Sequence, residues 1–283
     1  MVLKGADALA IPTKMGQSLE FESNDSKTLK WESWDSNNQL WFNTTFNLQD
    51  FSISNTNDSE IAIRLAQILK VIRDQKNNFL RENGGKVKTH LEFDRHWGLG
   101  TSSTLISNLA RWSGVDPYEL LQNSFGGSGY DIACATAKSP LVFRKQRLEP
   151  HVEKCAFDPP FKSSLYFVYL NQKKNSREAI ESFKKQNIRE EQIAYTSGLT
   201  RAVIRAHTLG EFEQILNEHE DFISQILSLV PVKEKLFPDF QGAIKSLGAW
   251  GGDFILATGD KHTPDYFKNK GFKIVTTYEE MFG

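Results

Sequence analysis

Cysteine is scarce in this 283-residue chain: Cys134 and Cys155 are the whole supply, 21 positions apart and in no CxxC pair. That excludes a disulfide framework and a cysteine-rich metal centre, and reads as buried thiols in a reducing compartment. An excess of one charge is missing too. Lys and Arg number 34 against 35 Asp and Glu, a formal net charge of -1. A protein built mainly to grip nucleic acid would show a basic surplus, although a local patch can sit inside a neutral total. No apolar run approaches the ~18 residues needed to cross a bilayer. The first residues show no charged segment followed by an apolar stretch, as a signal peptide would. The soluble cytoplasm is the expected setting, with no nucleic-acid or membrane partner.

Several signatures of chemistry are also absent. No GxxxxGK[ST] loop occurs, because the required Lys is missing. A dinucleotide fingerprint would need a third glycine where Ser103 stands, and no serine sits in a GxSxG elbow.

What is present suits a folded enzyme-sized chain. Hydrophobic residues make up 39% and charged residues 24%, so a packed core is feasible. At roughly 150 residues per domain, the length suits one large domain or two ordinary ones. An apolar run from Ala8 to Ile11, stopped by Pro12, predicts a strand. Leu29-Lys30-Trp31 and Leu40-Trp41-Phe42 flank Ser36-Asn37-Asn38 and predict a hairpin, since Asn tolerates positive φ and aromatic pairs stabilise facing strands. Ile61, Leu65, Ile68, Leu69 and Ile72 recur at helical spacing and predict a helix to Leu80, closed by Asn83-Gly84-Gly85. A strand is expected at Val87 to Phe93, and a helix with Leu105, Leu109 and Trp112 on one face and Gly114 as its stop.

Turns at Glu149-Pro150 and Asp158-Pro159-Pro160 mark a boundary near residue 150. Beyond it the pattern predicts a strand at Leu165 to Leu170 and three helical stretches between Ser176 and Leu229. A strand at Asp253 to Thr258, a short helix at Pro264 to Lys270 and a last strand at Phe272 to Thr277 follow. Strands and helices mingled in this way indicate an α+β pair of domains.

Three glycine-rich segments stand out. In Trp97-Gly98-Leu99-Gly100-Thr101-Ser102-Ser103, set between a strand and an amphipathic helix, glycines let backbone N–H groups approach an anion, and the helix start adds unpaired donors. The hydroxyls can bind phosphate oxygens or Mg²⁺; alternatively they cap the helix. In Gly126-Gly127-Ser128-Gly129-Tyr130-Asp131, small residues let another molecule approach a carboxylate able to accept a proton, a service worth ~10²–10⁴ in rate. The alternative is a helix cap after a tight turn. The third segment, Lys245-Ser246-Leu247-Gly248-Ala249-Trp250-Gly251-Gly252-Asp253, suits closure over phosphates or is a plain turn.

Together, and in this order, these segments resemble the motifs of the galactokinase, homoserine, mevalonate and phosphomevalonate (GHMP) kinases. GLGTSS at 98–103 is similar to the family's GLGSSA phosphate loop, GSGYD at 127–131 to the segment carrying the catalytic Asp, and 245–252 to the third motif. The resemblance implies a two-domain architecture, an N-terminal α/β domain (1–155) and a C-terminal ferredoxin-like α+β domain (156–283). It implies Gly98, Leu99, Gly100, Thr101, Ser102, Ser103, Gly248, Ala249, Gly251 and Gly252 as ATP-binding residues and Asp131 as the catalytic carboxylate. Ser128, Gly129, Lys245 and Ser246 would face the substrate, and Ser102 and Glu119 would hold Mg²⁺. Glu119 is reached only by allowing a small insertion, and Asp116-Pro117-Tyr118-Glu119 also reads as a helix cap.

Trp250 replaces a residue that is usually Gly, and its role stays open. The family's first strand, with its Lys, has no counterpart before Ala8, and the coding sequence is expected to continue upstream of Met1. The function implied is ATP-dependent phosphorylation of a small metabolite, with mevalonate first. Phosphomevalonate kinase, or a nucleotide-binding protein of the same fold without turnover, is the alternative. A homodimer is left open.

Overall fold

The computed structural model describes residues 1–147, 149–172, 181, 183–248, 250 and 252–283. Much of the first helical stretch expected after Ser176 lies outside the described residues, as do Ala249 and Gly251. By packing, the chain forms two units that interleave along the sequence. One comprises Met1–Lys14, His96–Gly98 and Ala137–Gly283; the other comprises Met15–Arg95 and Leu99–Thr136. Residues 1–14 and 137–155 thus pack with the C-terminal part of the chain.

The chain opens with the expected strand, β1 (Ala8–Ala10). The second unit then contributes β2 (Gln17–Asn24), β3 (Thr28–Trp34), β4 (Leu40–Asn47), β5 (Ile53–Thr56) and β6 (Gly84–Leu91) to one sheet. Its order is β2-β6-β3-β4-β5, with only the β3–β6 pair parallel among these neighbours. The β3–β4 hairpin forms where Asn was expected to turn the chain. Asn38 has φ 58°, and the Asp35 carboxylate accepts from the N–H groups of Asn37 and Gln39, each at 2.9 Å. Alternation along the strands turns Leu29 and Trp31 of β3, and Phe42 and Phe46 of β4, into the core.

That core is covered by α1 (Ser59–Gln75) and α2 (Thr101–Ser113). From α1 come Leu65, Ile68, Leu69 and Ile72, and from α2 Ile106 and Leu109, all buried. Each such side chain contributes about 1.5–3 kcal/mol on burial. Gly114, at φ 73°, ends α2 as expected. By contrast α1 stops at Gln75 rather than Leu80, and Gly84-Gly85 does not close it. Those glycines begin β6 because neighbouring backbone leaves no room for a side chain: a Cβ would fall 2.2 Å from the Thr28 carbonyl oxygen at Gly84 and 2.3 Å from that of Glu22 at Gly85. Strand β2 has no counterpart in the sequence pattern, since Leu19 and Phe21 are its only large apolar residues. The unit also holds α3 (Pro117–Gln122) and α4 (Tyr130–Thr136).

In the other unit β1 pairs with β7 (Leu141–Arg144), which pairs with β8 (His151–Lys154), all antiparallel. Then follow β9 (Leu165–Tyr169), α5 (Glu190–Arg205), α6 (Leu209–Leu227), α7 (Val232–Leu236), β10 (Ile244–Ser246), β11 (Phe254–Thr258), α8 (Thr263–Asn269), β12 (Val275–Thr277) and α9 (Tyr278–Phe282). The four strands pair antiparallel in the order β10-β11-β9-β12. Setting aside the extra helices, this is the split βαββαβ arrangement expected of the C-terminal half. Every residue of β9 and β11 is buried, so both faces of these strands are covered. Asp7, 5% exposed, fastens β1 to α5. Its carboxylate meets Arg144 at 2.6 Å and Arg201 at 3.3 Å, and its N–H donates to Ser197 Oγ at 3.0 Å.

Candidate active site

The first glycine segment has the backbone its composition implies. Gly98 and Gly100 stand at φ 68° and 82°, where side chains are strained. Gly100 is the residue before α2, and no side chain caps the helix there. The hydroxyls of Thr101, Ser102 and Ser103 therefore do not close the helix start. Ser102 is exposed, and a Cβ on Gly100 would meet nothing within 4 Å. The opening turn of a thirteen-residue helix thus presents unpaired N–H groups, a dipole end and hydroxyls to open space, a combination that favours anions.

The entrance to this loop is held on β9 and β11. Tyr169 donates its hydroxyl to the His96 carbonyl at 3.1 Å, and the Trp97 ring sits edge-on to Phe254 at 5.9 Å. A Cβ on Gly98 would lie 2.1 Å from Oδ2 of Asp253. Gly98 belongs to the first glycine segment and Asp253 closes the third, so these two residues meet.

In the second segment Gly126, Gly127 and Gly129 have φ of 69°, 114° and 88°. Gly129 is buried and closely packed: a Cβ would lie 3.0 Å from the Tyr118 ring. Ser128 Oγ accepts from the Tyr130 N–H at 3.4 Å, at the entry to α4. Asp131 lies inside the first turn of α4, past the cap position, and α4 packs on α2. More than a third of the Asp131 surface is open to solvent, yet the protein around the carboxyl desolvates it enough to push its pKa up to about 6, against a lowering hydrogen bond from Tyr130. The result is a carboxylate that is ionised at neutral pH and basic enough to take a proton.

The third segment is more occupied than its sequence suggests. Lys245 and Ser246 lie on β10 rather than in a loop, and both bond to Glu220 of α6. Lys245 Nζ stands 2.8 Å from Glu220 Oε1, and Ser246 Oγ donates to Oε2 at 2.9 Å. The indole N–H of Trp250 donates to Oε1 at 3.1 Å. Gly248, at φ 61°, faces open space, and Gly252 is buried.

No family model and no curated protein matches the chain by sequence. Solved structures do match. A mevalonate kinase superposes with a TM-score of 0.68 at 13% identity, covering 97% of this chain and 92% of that one. The Methanococcus jannaschii mevalonate kinase gives 0.68 at 14%, covering 97% and 91%. The Streptococcus pneumoniae phosphomevalonate kinase gives 0.65 at 14%, covering 96% and 92%. The chain has the GHMP-kinase fold.

Within this GHMP-kinase fold, Asp116 caps α3 as its sequence context offered. The Asp116 carboxylate accepts from the Glu119 N–H at 2.7 Å, with Pro117 at the first position of α3. The Glu119 side chain itself is exposed. Among the described residues no three His, Cys, Asp or Glu gather to hold a metal. Mg²⁺ differs from metals held in all-protein cages: it takes one or two protein oxygens and completes its shell with phosphates and water.

Two residues that shape this region were not singled out from sequence, Glu220 and Asp253. Glu220 left a legible signal: it shares the buried stripe of α6 with Phe212, Leu216 and Ile223, and a carboxylate on an apolar stripe needs a partner. Asp253 left none, since its contact with Gly98 joins positions far apart in the chain.

Proposed function

We propose that the chain is an ATP-dependent kinase that phosphorylates a hydroxyl of a small metabolite, with mevalonate the first acceptor to test and phosphomevalonate the second. The observation that carries this reading is the pairing of a glycine loop that opens unpaired donors at the start of α2 with a carboxylate of raised pKa on the adjoining α4. Bound Mg-ATP would supply the transferable phosphoryl group and neutralise part of its charge. The chain's own part is to hold and to take a proton. The N–H groups and hydroxyls of residues 98–103 receive phosphate oxygens, and Ser102 and Glu119 offer oxygens to Mg²⁺. Asp131 orients the acceptor hydroxyl and takes its proton as the oxygen bonds to phosphorus and ADP departs. Ser128 and Gly129 stand beside it on the acceptor side. The expected setting is the cytoplasm; among the described residues no helix is long and apolar enough to cross a membrane.

A coupled ADP-release assay across mevalonate, phosphomevalonate, homoserine and sugars tests this. Turnover is expected with one acceptor class. Asp131→Asn should lose ~10²–10⁴ of the rate while ATP affinity stays close to that of the parent. Undiminished turnover in that variant would remove Asp131 from its role. Tight Mg-ATP binding with no turnover on any acceptor would favour the second reading, a nucleotide-binding protein of the same fold. The one observation on that side is Trp250, a ring tied down where the family's loop usually carries glycine.

A further inference from the structure

The segment between β10 and β11 closes an antiparallel hairpin whose stem is complete without any charged group. Ser246 pairs with Ile255, and the Leu247 N–H donates to the Phe254 carbonyl at 3.1 Å. Beyond that stem Gly248 and Gly252 leave the backbone little intrinsic reason to hold one shape, since ordering backbone costs about 1–2 kcal/mol per residue.

Under it lies Glu220, only 3% exposed. A carboxylate so placed loses its water, and it persists where partners satisfy both oxygens. Here Oε1 receives Lys245 Nζ at 2.8 Å and the Trp250 indole at 3.1 Å, and Oε2 receives Ser246 Oγ at 2.9 Å. Lys245 is further fixed by the Ser246 carbonyl at 2.7 Å. All three donors come from the end of β10 and the loop it enters. Sheet pairing asks for none of them. The indole is a donor and nothing else, and it reaches back from mid-loop to a charged acceptor, the stronger kind of hydrogen bond.

We propose that Glu220 is a positioning residue that latches this loop, with Trp250 as the loop's own half of the latch. The ring at position 250 then neither blocks the approach nor stacks on a ligand. It replaces the freedom of a glycine with one tether, so that position 250 is anchored before anything binds. A position anchored beforehand spends less of the binding energy on its own immobilisation. That the anchor then serves nucleotide phosphates rests on the kinase reading; the latch itself does not.

Hydrogen exchange on the full chain, followed by mass spectrometry, separates the two. Trp250→Phe removes one donor and leaves Glu220 paired with Lys245 and Ser246, so folding should survive. Glu220→Gln weakens all three bonds. In both variants, exchange in peptides spanning 247–252 should quicken by roughly tenfold, the value of one charge-assisted bond, while β9 and β11 exchange as in the parent. Unchanged loop exchange in Trp250→Phe would overturn the latch, whether or not Glu220→Gln folds. With ATP as the varied substrate, Trp250→Phe should raise KM about tenfold and leave kcat nearly as it was. Quickened exchange with an unaltered KM would overturn the link to the nucleotide. If the parent protein neither binds Mg-ADP nor turns over, the kinase reading fails, and the exchange result still judges the latch.

Discussion

The carboxylate of Asp253 occupies the space that a side chain at position 98 would need. A Cβ on Gly98 would fall 2.1 Å from Oδ2 and 2.8 Å from the Asp253 Cβ. The start of the glycine loop is therefore shaped by contact with the end of a strand connection more than 150 positions later, as well as by its own φ of 68°.

Gly98→Ala should accordingly fail twice. Positive φ costs about 1 kcal/mol for a residue with a Cβ, and the collision with Asp253 adds to it. Denaturant unfolding should show a loss of more than 1 kcal/mol, and ADP release should fall with it. Adding Asp253→Ala removes the two closest clashing atoms, the carboxylate oxygen at 2.1 Å and its carbon at 2.3 Å, and leaves the Cβ at 2.8 Å and the strain, so the double variant should regain part of the stability. Two losses that simply add would show that the residues do not compete for space.

The raised pKa of Asp131 gives the pH dependence a sign. A base must be ionised, so kcat/KM should fall as pH drops through about 6 and level off above about 7. For stability the sign is reversed. The folded protein holds the Asp131 proton more tightly than the unfolded chain, so this group favours the fold at low pH and that advantage is lost as pH rises through about 6. Asp131→Asn should thus be slightly more stable than the parent at pH 7.5, by thermal melting. The gain should be small, because the group is partly exposed and screened.

His219 acts in the opposite direction. Burial, then the positive charge of Lys245, lower its pKa from 6.5 to about 2, and its Nδ1 is buried with no partner. The unfolded chain takes up a proton near 6.5 that the folded chain refuses, so the associated stability is complete above 6.5 and lost as pH falls below it. His219→Leu should lose less stability than the parent between pH 7 and 4.5. Parallel urea midpoints for the two proteins over that range would contradict this.

Arg73 is a structural cation. Its guanidinium donates to the carbonyls of Leu48, Gln49, Phe79 and Leu80 and lies 3.8 Å from the centre of the Phe51 ring. Arg73→Met should cost about 3 kcal/mol or more in denaturant unfolding, because four carbonyls lose a charged donor together. Activity per folded molecule should be unaffected.

The same residue shows why one boundary could not be read from the chain. Ile61 to Ile72 carry a clear helical period, and that helix exists, but past Gln75 the chain leaves it, and the carbonyls of Phe79 and Leu80 accept from Arg73 instead. Gly84 and Gly85 resemble a helix stop in sequence and are strand residues in fact, because the carbonyls of Thr28 and Glu22 crowd them. Lys245 and Ser246 look like a flexible approach, yet they lie on β10 and bond to Glu220.

Local physics was sufficient for the rest. Positive-φ glycines at 98, 100, 126, 127 and 129, a carboxylate after small residues, period-3.6 stripes and the Asn turn at 36–38 are written in neighbouring residues, and short-range sterics and hydrogen bonding determine what they do. The sequence thus indicated the glycine loops and an α+β fold from local pattern, and its resemblance to the GHMP kinases supplied the kind of fold and the choice of Asp131. Tertiary structure alone decided which groups those loops lean on: Asp253 beneath Gly98, Glu220 beneath Trp250, and the desolvation that raises the Asp131 pKa. Each is a meeting of atoms distant in the chain or a property of everything around one group, and no local pattern encodes it.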